Sequence, residues 1–181
     1  FVIPWSEDIV RILLGPSYSA GAPVLAVMLI FSIYLGAGQI NTTLMYAASR
    51  TKEQLFSGIF FIAFSVPLSY FMQAPQDAMI SGLELGSIGM ALKKALIMIL
   101  HMNIFNYWIN RSYGWKFDWT YQVVGLCGPL FLGWAARKAA VVLIAPVSSD
   151  LIVASGIALV FYIIMVGVMI WTFPWVAGLK R

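Results

Sequence analysis

Long apolar runs dominate the chain, and short clusters of polar and charged residues separate them. A helix needs about 20 apolar residues to cross a hydrocarbon layer roughly 30 Å thick. The strict apolar/polar alternation of a membrane β-strand is missing, so the runs favour helices. The pattern predicts five membrane-spanning helices, at about residues 20–48, 55–72, 87–109, 119–144 and 151–173.

Composition supports this interpretation. Hydrophobic residues make up 61% of the chain, charged residues make up 10%, and the mean hydropathy is +0.89. Soluble domains carry about 45–50% apolar and about 25% charged residues. The predicted fold class is therefore an all-α integral membrane protein. The net charge of +4 is scattered among the spans and gives no indication of nucleic-acid binding.

The first residue, Phe1, is not preceded by a basic segment, and no small-residue cleavage site follows it. We therefore expect no signal peptide, and we expect the chain to be a piece of a longer protein. Cys127 is the single cysteine, so the sequence predicts no intrachain disulfide.

The distribution of lysine and arginine predicts the orientation, because short cytoplasmic loops are enriched in both. On the predicted outer side, Arg11 is the one basic residue outside the spans. The six on the predicted cytoplasmic side are Arg50, Lys52, Arg111, Lys116, Lys180 and Arg181. This count places the first and third interhelical loops and the C-terminus in the cytoplasm. Two basic pairs, Lys93-Lys94 and Arg137-Lys138, fall towards the outer side and oppose the trend.

Polar residues within the spans indicate which helix faces meet protein or water. In the first predicted span, steps of three and four residues place four residues on one face: Gly36, Gln39, Thr43 and Tyr46. In the third predicted span, three asparagines gather on one face: Asn103, Asn106 and Asn110. Small and hydrogen-bonding residues suit close helix packing, which we favour, while the lining of a polar cavity is the alternative.

The third predicted span also carries Lys93, Lys94 and His101. Lys94 and His101 are seven residues apart and nearly superpose along a helix. The lysines are expected either to extend their stems to the headgroups or to face a cavity and bind an anionic group, with the first favoured. His101 is then either a packing residue or a proton carrier deeper on the same wall.

Arg137 and Lys138, near the end of the fourth predicted span, present the same choice. An adjacent arginine and lysine can anchor lipid phosphate or clamp a phosphate-bearing substrate. Neither basic pair has a carboxylate within helical reach in its own span. This favours a phosphate or headgroup contact over an internal ion pair.

Sequence signatures of enzymes are missing. The chain has no Gly-x-Ser-x-Gly turn, no His-Glu-x-x-His, no phosphate-binding loop with a lysine and no Cys/His metal spacing. The sequence therefore predicts no enzyme, no catalytic residue, no metal site and no cofactor.

Four stretches carry a family resemblance. Residues 12–25 have the sequence ILLGPSYSAGAPVL. This segment resembles a stretch of polysaccharide (O-antigen, Wzx-type) flippases in which Leu-(Phe/Leu)-Gly is followed by a tyrosine, an alanine and a leucine. The spacing differs slightly, because here the tyrosine is three residues past the glycine and the alanines fall at 20 and 22. LMYAASRTK at 44–52 and GSIGMA at 86–91 are similar to the end and the start of later family helices. FPWVAGLKR at 173–181 is similar to the family's C-terminal tail.

These flippases belong to the multidrug/oligosaccharidyl-lipid/polysaccharide exporter superfamily. The resemblance implies that residues 1–181 are the C-terminal membrane part of a two-lobed exporter of 12–14 helices, with Gly15-Pro16 as an outer turn between two spans. It implies a plasma-membrane protein that works by alternating access with the missing N-terminal helices. It also implies a lipid-linked (polyprenyl-phosphate or -pyrophosphate) oligosaccharide as substrate, with Lys93, Lys94, Arg137 and Lys138 as candidate head-group contacts.

Three other functions stay open. A drug/cation antiporter of the same superfamily would favour acidic residues inside the spans, and this chain has none there. A membrane-embedded glycosyltransferase or ligase would need carboxylates or histidine in a large outer loop, and the predicted loops are short. A membrane scaffold without transport activity is the third alternative.

Overall fold

The computed structural model describes residues 1–114, 119–144 and 151–177, and in this part of the chain every regular element is helical. The α-helices are α1 (Ser6–Leu14), α2 (Ala22–Ala47), α3 (Thr51–Gln73), α4 (Gly86–Tyr113), α5 (Trp119–Ile144) and α6 (Leu151–Thr172). Short 3₁₀ segments occupy Ile3–Trp5, Pro16–Gly21 and Pro174–Ala177. Lys116, Lys180 and Arg181, which entered the orientation count, lie outside the described residues, as does the end of the tail-like stretch 173–181.

Five of these helices, α2 to α6, are long and apolar enough to cross a membrane. This confirms the number of spans predicted from the apolar runs. The bounds differ most at the polar ends, where α3 begins at Thr51 and α4 continues to Tyr113. Both extensions contain charged residues, since backbone hydrogen bonding continues a helix beyond its apolar stretch.

The break predicted at Gly15-Pro16 is present. Helix α1 ends at Leu14, and Gly15 adopts a φ of +93°, a conformation that side chains with a Cβ rarely tolerate. Pro16 then begins the 3₁₀ segment that leads into α2, where its missing N–H costs no helical hydrogen bond.

The structure divides into two compact units, of which one comprises residues 14–117. In this unit α4 packs against both α2 and α3. Met45 of α2 is enclosed with Phe105 and Ile109 of α4, and Trp108 packs against them. The loop between α3 and α4 is tied to the end of α3 through backbone hydrogen bonds from Leu83 to Phe71 (2.8 Å) and from Leu85 to Met72 (3.0 Å).

The other unit comprises residues 1–13 and 118–181. Here α5 packs against α6, and the N-terminal segment packs against α5. Trp5 is only 3% exposed, and it lies in a cluster with Ala140, Ala154 and Ala158. Three alanines at one contact leave room for a single indole ring, so the helix pair accommodates the N-terminal segment by shape.

Candidate functional site: cations and polar groups in the apolar helices

Lys93 bridges two helices. Its ammonium donates a hydrogen bond of 2.8 Å to the hydroxyl oxygen of Ser69 in α3. The Ser69 hydroxyl in turn donates a hydrogen bond of 2.8 Å to the carbonyl oxygen of Ser65, one turn earlier. The half-buried Lys93 is therefore satisfied between α3 and α4, an arrangement that neither sequence alternative for this residue included.

Lys94 has a different environment. It is exposed, and among the described residues no hydrogen bond or ion pair to its ammonium is present. One residue along a helix changes the direction of a side chain by about 100°. The two adjacent lysines therefore differ in role, since Lys93 turns towards α3 and Lys94 stays on the surface of this unit.

His101 packs between two phenylalanine rings. Its ring centroid lies 4.7 Å from that of Phe61 in α3 and 4.4 Å from that of Phe105 in its own helix. The buried Nε2 atom has no hydrogen-bond partner in the described part of the chain. The seven-residue spacing from Lys94 places both on one stripe of α4, yet His101 is half-buried among rings whereas Lys94 is exposed. This environment is that of a packing residue.

An asparagine pair joins α2 to α4. The Asn41 side-chain amide donates a 2.7 Å hydrogen bond to the side-chain oxygen of Asn106. The Asn103 side-chain amide instead donates a hydrogen bond of 2.8 Å to the carbonyl oxygen of Ile99 within α4. Sequence reasoning named Asn103 and Asn106 but missed Asn41. A usable signal was present, because Gly38, Asn41 and Met45 follow the same steps of three and four residues as the face that was chosen.

The chosen face of α2 does not pack on a neighbouring helix in the described structure. Gln39, Thr43 and Tyr46 are all exposed. The Thr43 hydroxyl donates a hydrogen bond of 3.0 Å to the carbonyl oxygen of Gln39 in the same helix. The face that meets α4 carries Gly38 and Asn41 instead. The prediction that Gln39, Thr43 and Tyr46 pack against a helix or line a polar cavity therefore stays a prediction.

Arg137 is held by the N-terminal segment. One guanidinium nitrogen lies 2.8 Å from a carboxylate oxygen of Asp8, and another donates to the carbonyl oxygen of Pro4. The guanidinium carbon also lies 5.0 Å from the ring centroid of Trp5. Arg137 therefore has the internal ion pair that the sequence analysis disfavoured. That analysis considered only carboxylates of the same span, and Asp8 precedes Arg137 by 129 residues.

Lys138 lies beside a groove on α5. Its ammonium is 4.5 Å from the ring centroid of Trp134, one helical turn earlier. The groove has a volume of about 430 Å³ and is lined by Trp134, Arg137, Lys138, Val141 and Val142. A cation, an aromatic face and an apolar wall are thus brought together on one helix. Of the four candidate cations, Lys94 and Lys138 are the exposed ones.

The described residues include no cluster of three or more histidine, cysteine or acidic side chains that could hold a metal ion. Cys127 is a free, exposed thiol. Comparisons with models of known protein families, with curated proteins and with solved structures give no match to this chain.

Proposed function

We propose that the chain is part of a flippase that moves a lipid-linked oligosaccharide across the plasma membrane by alternating access. It performs no covalent chemistry and needs no cofactor. The proposal combines the family resemblance of four stretches with five helices of membrane-spanning length and apolarity. In this proposal the other lobe of the exporter is formed by further helices, and the C-terminus faces the cytoplasm.

The observation that carries the proposal is the exposed Lys94 within the apolar helix α4. A charged residue in a spanning helix costs up to about 2.5–3.5 kcal/mol on insertion scales, and the cost is largest at the centre. Lys93 recovers part of such a cost through Ser69, whereas Lys94 has no partner among the described residues. The anionic head group of a lipid-linked cargo would supply the missing partner. Such a head group would need a cation in a polar cavity that is shielded from the hydrocarbon.

The charge balance of the helices favours this cargo over a cationic one. In the sequences of α2 to α6, Glu53 in the first turn of α3 is the single acidic residue. A cation exporter would need a carboxylate deeper in a span to attract its substrate. The cations that line these helices suit a phosphate or pyrophosphate group.

The experiment is a flipping assay on the full-length protein in proteoliposomes with a fluorescent polyprenyl-pyrophosphate sugar. Charged hydrogen bonds contribute about 1.5–3 kcal/mol, so Lys94→Gln should reduce the initial rate by about tenfold or more. Lys52→Gln is the matched control, because Lys52 is an exposed lysine at the start of α3. Wild-type transport by Lys94→Gln at normal abundance would overturn the assignment of Lys94 to the cargo. Wild-type protein that flips no lipid-linked sugar would overturn the flippase itself.

A further inference from the structure

The groove on α5 combines three chemical features on an accessible surface. Trp134 is 54% exposed, Val142 is 73% exposed, and Lys138 holds its ammonium over the indole ring. A Trp ring attracts a cation through its electron-rich face and offers a wide apolar surface at the same time. Such a surface fits a molecule that has both an anionic group and hydrocarbon.

The charge of the groove is positive and not compensated by its own lining. Arg137 is already neutralised by Asp8, at 2.8 Å, and it is further occupied by the Pro4 carbonyl. Among the described lining residues there is no carboxylate, so the ammonium of Lys138 is the surplus charge. Charge complementarity therefore selects an anion at Lys138 rather than a cation or a neutral group.

Lys138 lies towards the end of α5, at a depth that a lipid phosphate can reach. Lys138 precedes Ile144, the end of α5, by six residues, which is about 9 Å along the helix axis. Trp134, whose ring the ammonium approaches, lies one turn further from this end, in the apolar part of α5. A membrane lipid beside α5 can therefore offer its phosphate to the ammonium and its carbon chain to the apolar wall of the groove.

We propose that this groove binds an anionic phospholipid of the surrounding bilayer. Its phosphate pairs with the Lys138 ammonium, and its carbon chain packs against Trp134, Val141 and Val142. This proposal does not depend on the flippase function. The bound lipid neutralises the unpaired charge of α5.

The test measures lipid binding to the full-length protein by native mass spectrometry, with phosphatidylglycerol and phosphatidylcholine of identical chains. We expect Lys138→Gln to lower the phosphatidylglycerol affinity about fivefold and to leave the phosphatidylcholine affinity unchanged. Lys138→Arg keeps the charge and should retain binding. Trp134→Leu should lower the affinity about two- to fivefold although no charge changes, because the ammonium loses its ring.

Lys52→Gln is the control for general attraction of anionic lipid to surface lysines. An equal loss in Lys52→Gln and Lys138→Gln would overturn the site in favour of diffuse attraction. Equal affinities of the wild-type protein for the two lipids would also overturn it. Displacement of phosphatidylglycerol by polyprenyl phosphate at equimolar amounts would assign the groove to cargo instead, and displacement by inorganic phosphate would assign it to a free anion.

A second measurement does not depend on the folding of any variant. A photoreactive phosphatidylglycerol, incorporated into vesicles with the wild-type protein, should crosslink to the peptide that contains residues 134–142. Crosslinks confined to other helices would contradict the proposal.

Discussion

The guanidinium of Arg137 and the carboxylate of Asp8 form an ion pair at 2.8 Å, although 129 residues separate them. Asp8 belongs to the nine-residue helix α1, and Arg137 belongs to α5. The side chains are 33% (Arg137) and 20% (Asp8) exposed, so water screens the pair only in part. With the Pro4 carbonyl and the Trp5 ring, Arg137 holds the N-terminal segment against α5.

This contact predicts the effect of Asp8→Asn. A hydrogen bond between charged groups contributes about 1.5 kcal/mol or more, so local opening of α1 should become about tenfold more frequent. Amide hydrogen exchange of α1 in the full-length protein measures this frequency. Glu7→Gln is the control, because Glu7 is exposed in the same first turn. Equal exchange rates in Asp8→Asn and Glu7→Gln would show that the ion pair does not hold the segment.

The asparagine pair predicts a coupling between α2 and α4. Asn41→Leu and Asn106→Leu should each destabilise the protein by about 1 kcal/mol, since each leaves one polar group unpaired between the helices. The double variant should be less destabilised than the sum of the two, by about 0.6 kcal/mol or more. Reversible unfolding in detergent micelles gives the free energies. Thr43→Val, whose hydroxyl bonds only within α2, is the control, and strict additivity of the asparagine variants would contradict the coupling.

Two glycines of α2 test which face packs. A Cβ at Gly38 would overlap the terminal methyl group of Met98 in α4, whereas a Cβ at Gly36 would meet nothing within 4 Å. Gly36→Ala should stabilise the protein by up to about 1 kcal/mol through helix propensity. Gly38→Ala should gain less stability than Gly36→Ala, by under about 1 kcal/mol, because the flexible end of the Met98 side chain must move. The Met98→Ala background should remove this difference, and its persistence there would place the strain elsewhere.

The orientation is tested by cysteine labelling in a Cys127→Ser background, since Cys127 is the single native thiol. Cysteines at Thr51 and Ser112 should react with an impermeant maleimide only from the cytoplasmic side, and one at Gln76 only from the outside. All three positions are exposed in the structure. Labelling of the Thr51 position from outside would reverse the orientation and would weaken the flippase proposal with it.

The sequence by itself determined the helices. Continuous apolar runs can satisfy their backbone groups in lipid only as helices, so length and composition defined five candidate spans. The break between α1 and α2 likewise lies at Gly15-Pro16, where the family resemblance implied a turn. Both properties depend on neighbouring residues along the chain, which a sequence displays directly.

Only the tertiary structure decided which helix faces meet and which charges pair. Helical periodicity shows that Gly36 and Gln39 share one face of α2 and that Gly38 and Asn41 share another, but both faces combine small and polar residues. Because lipid is as apolar as a helix surface, hydrophobicity does not select between such faces, and close packing does. In the same way, Asp8 became the partner of Arg137 through the packing of Trp5 among alanines of α5 and α6, a contact that no spacing along one helix contains.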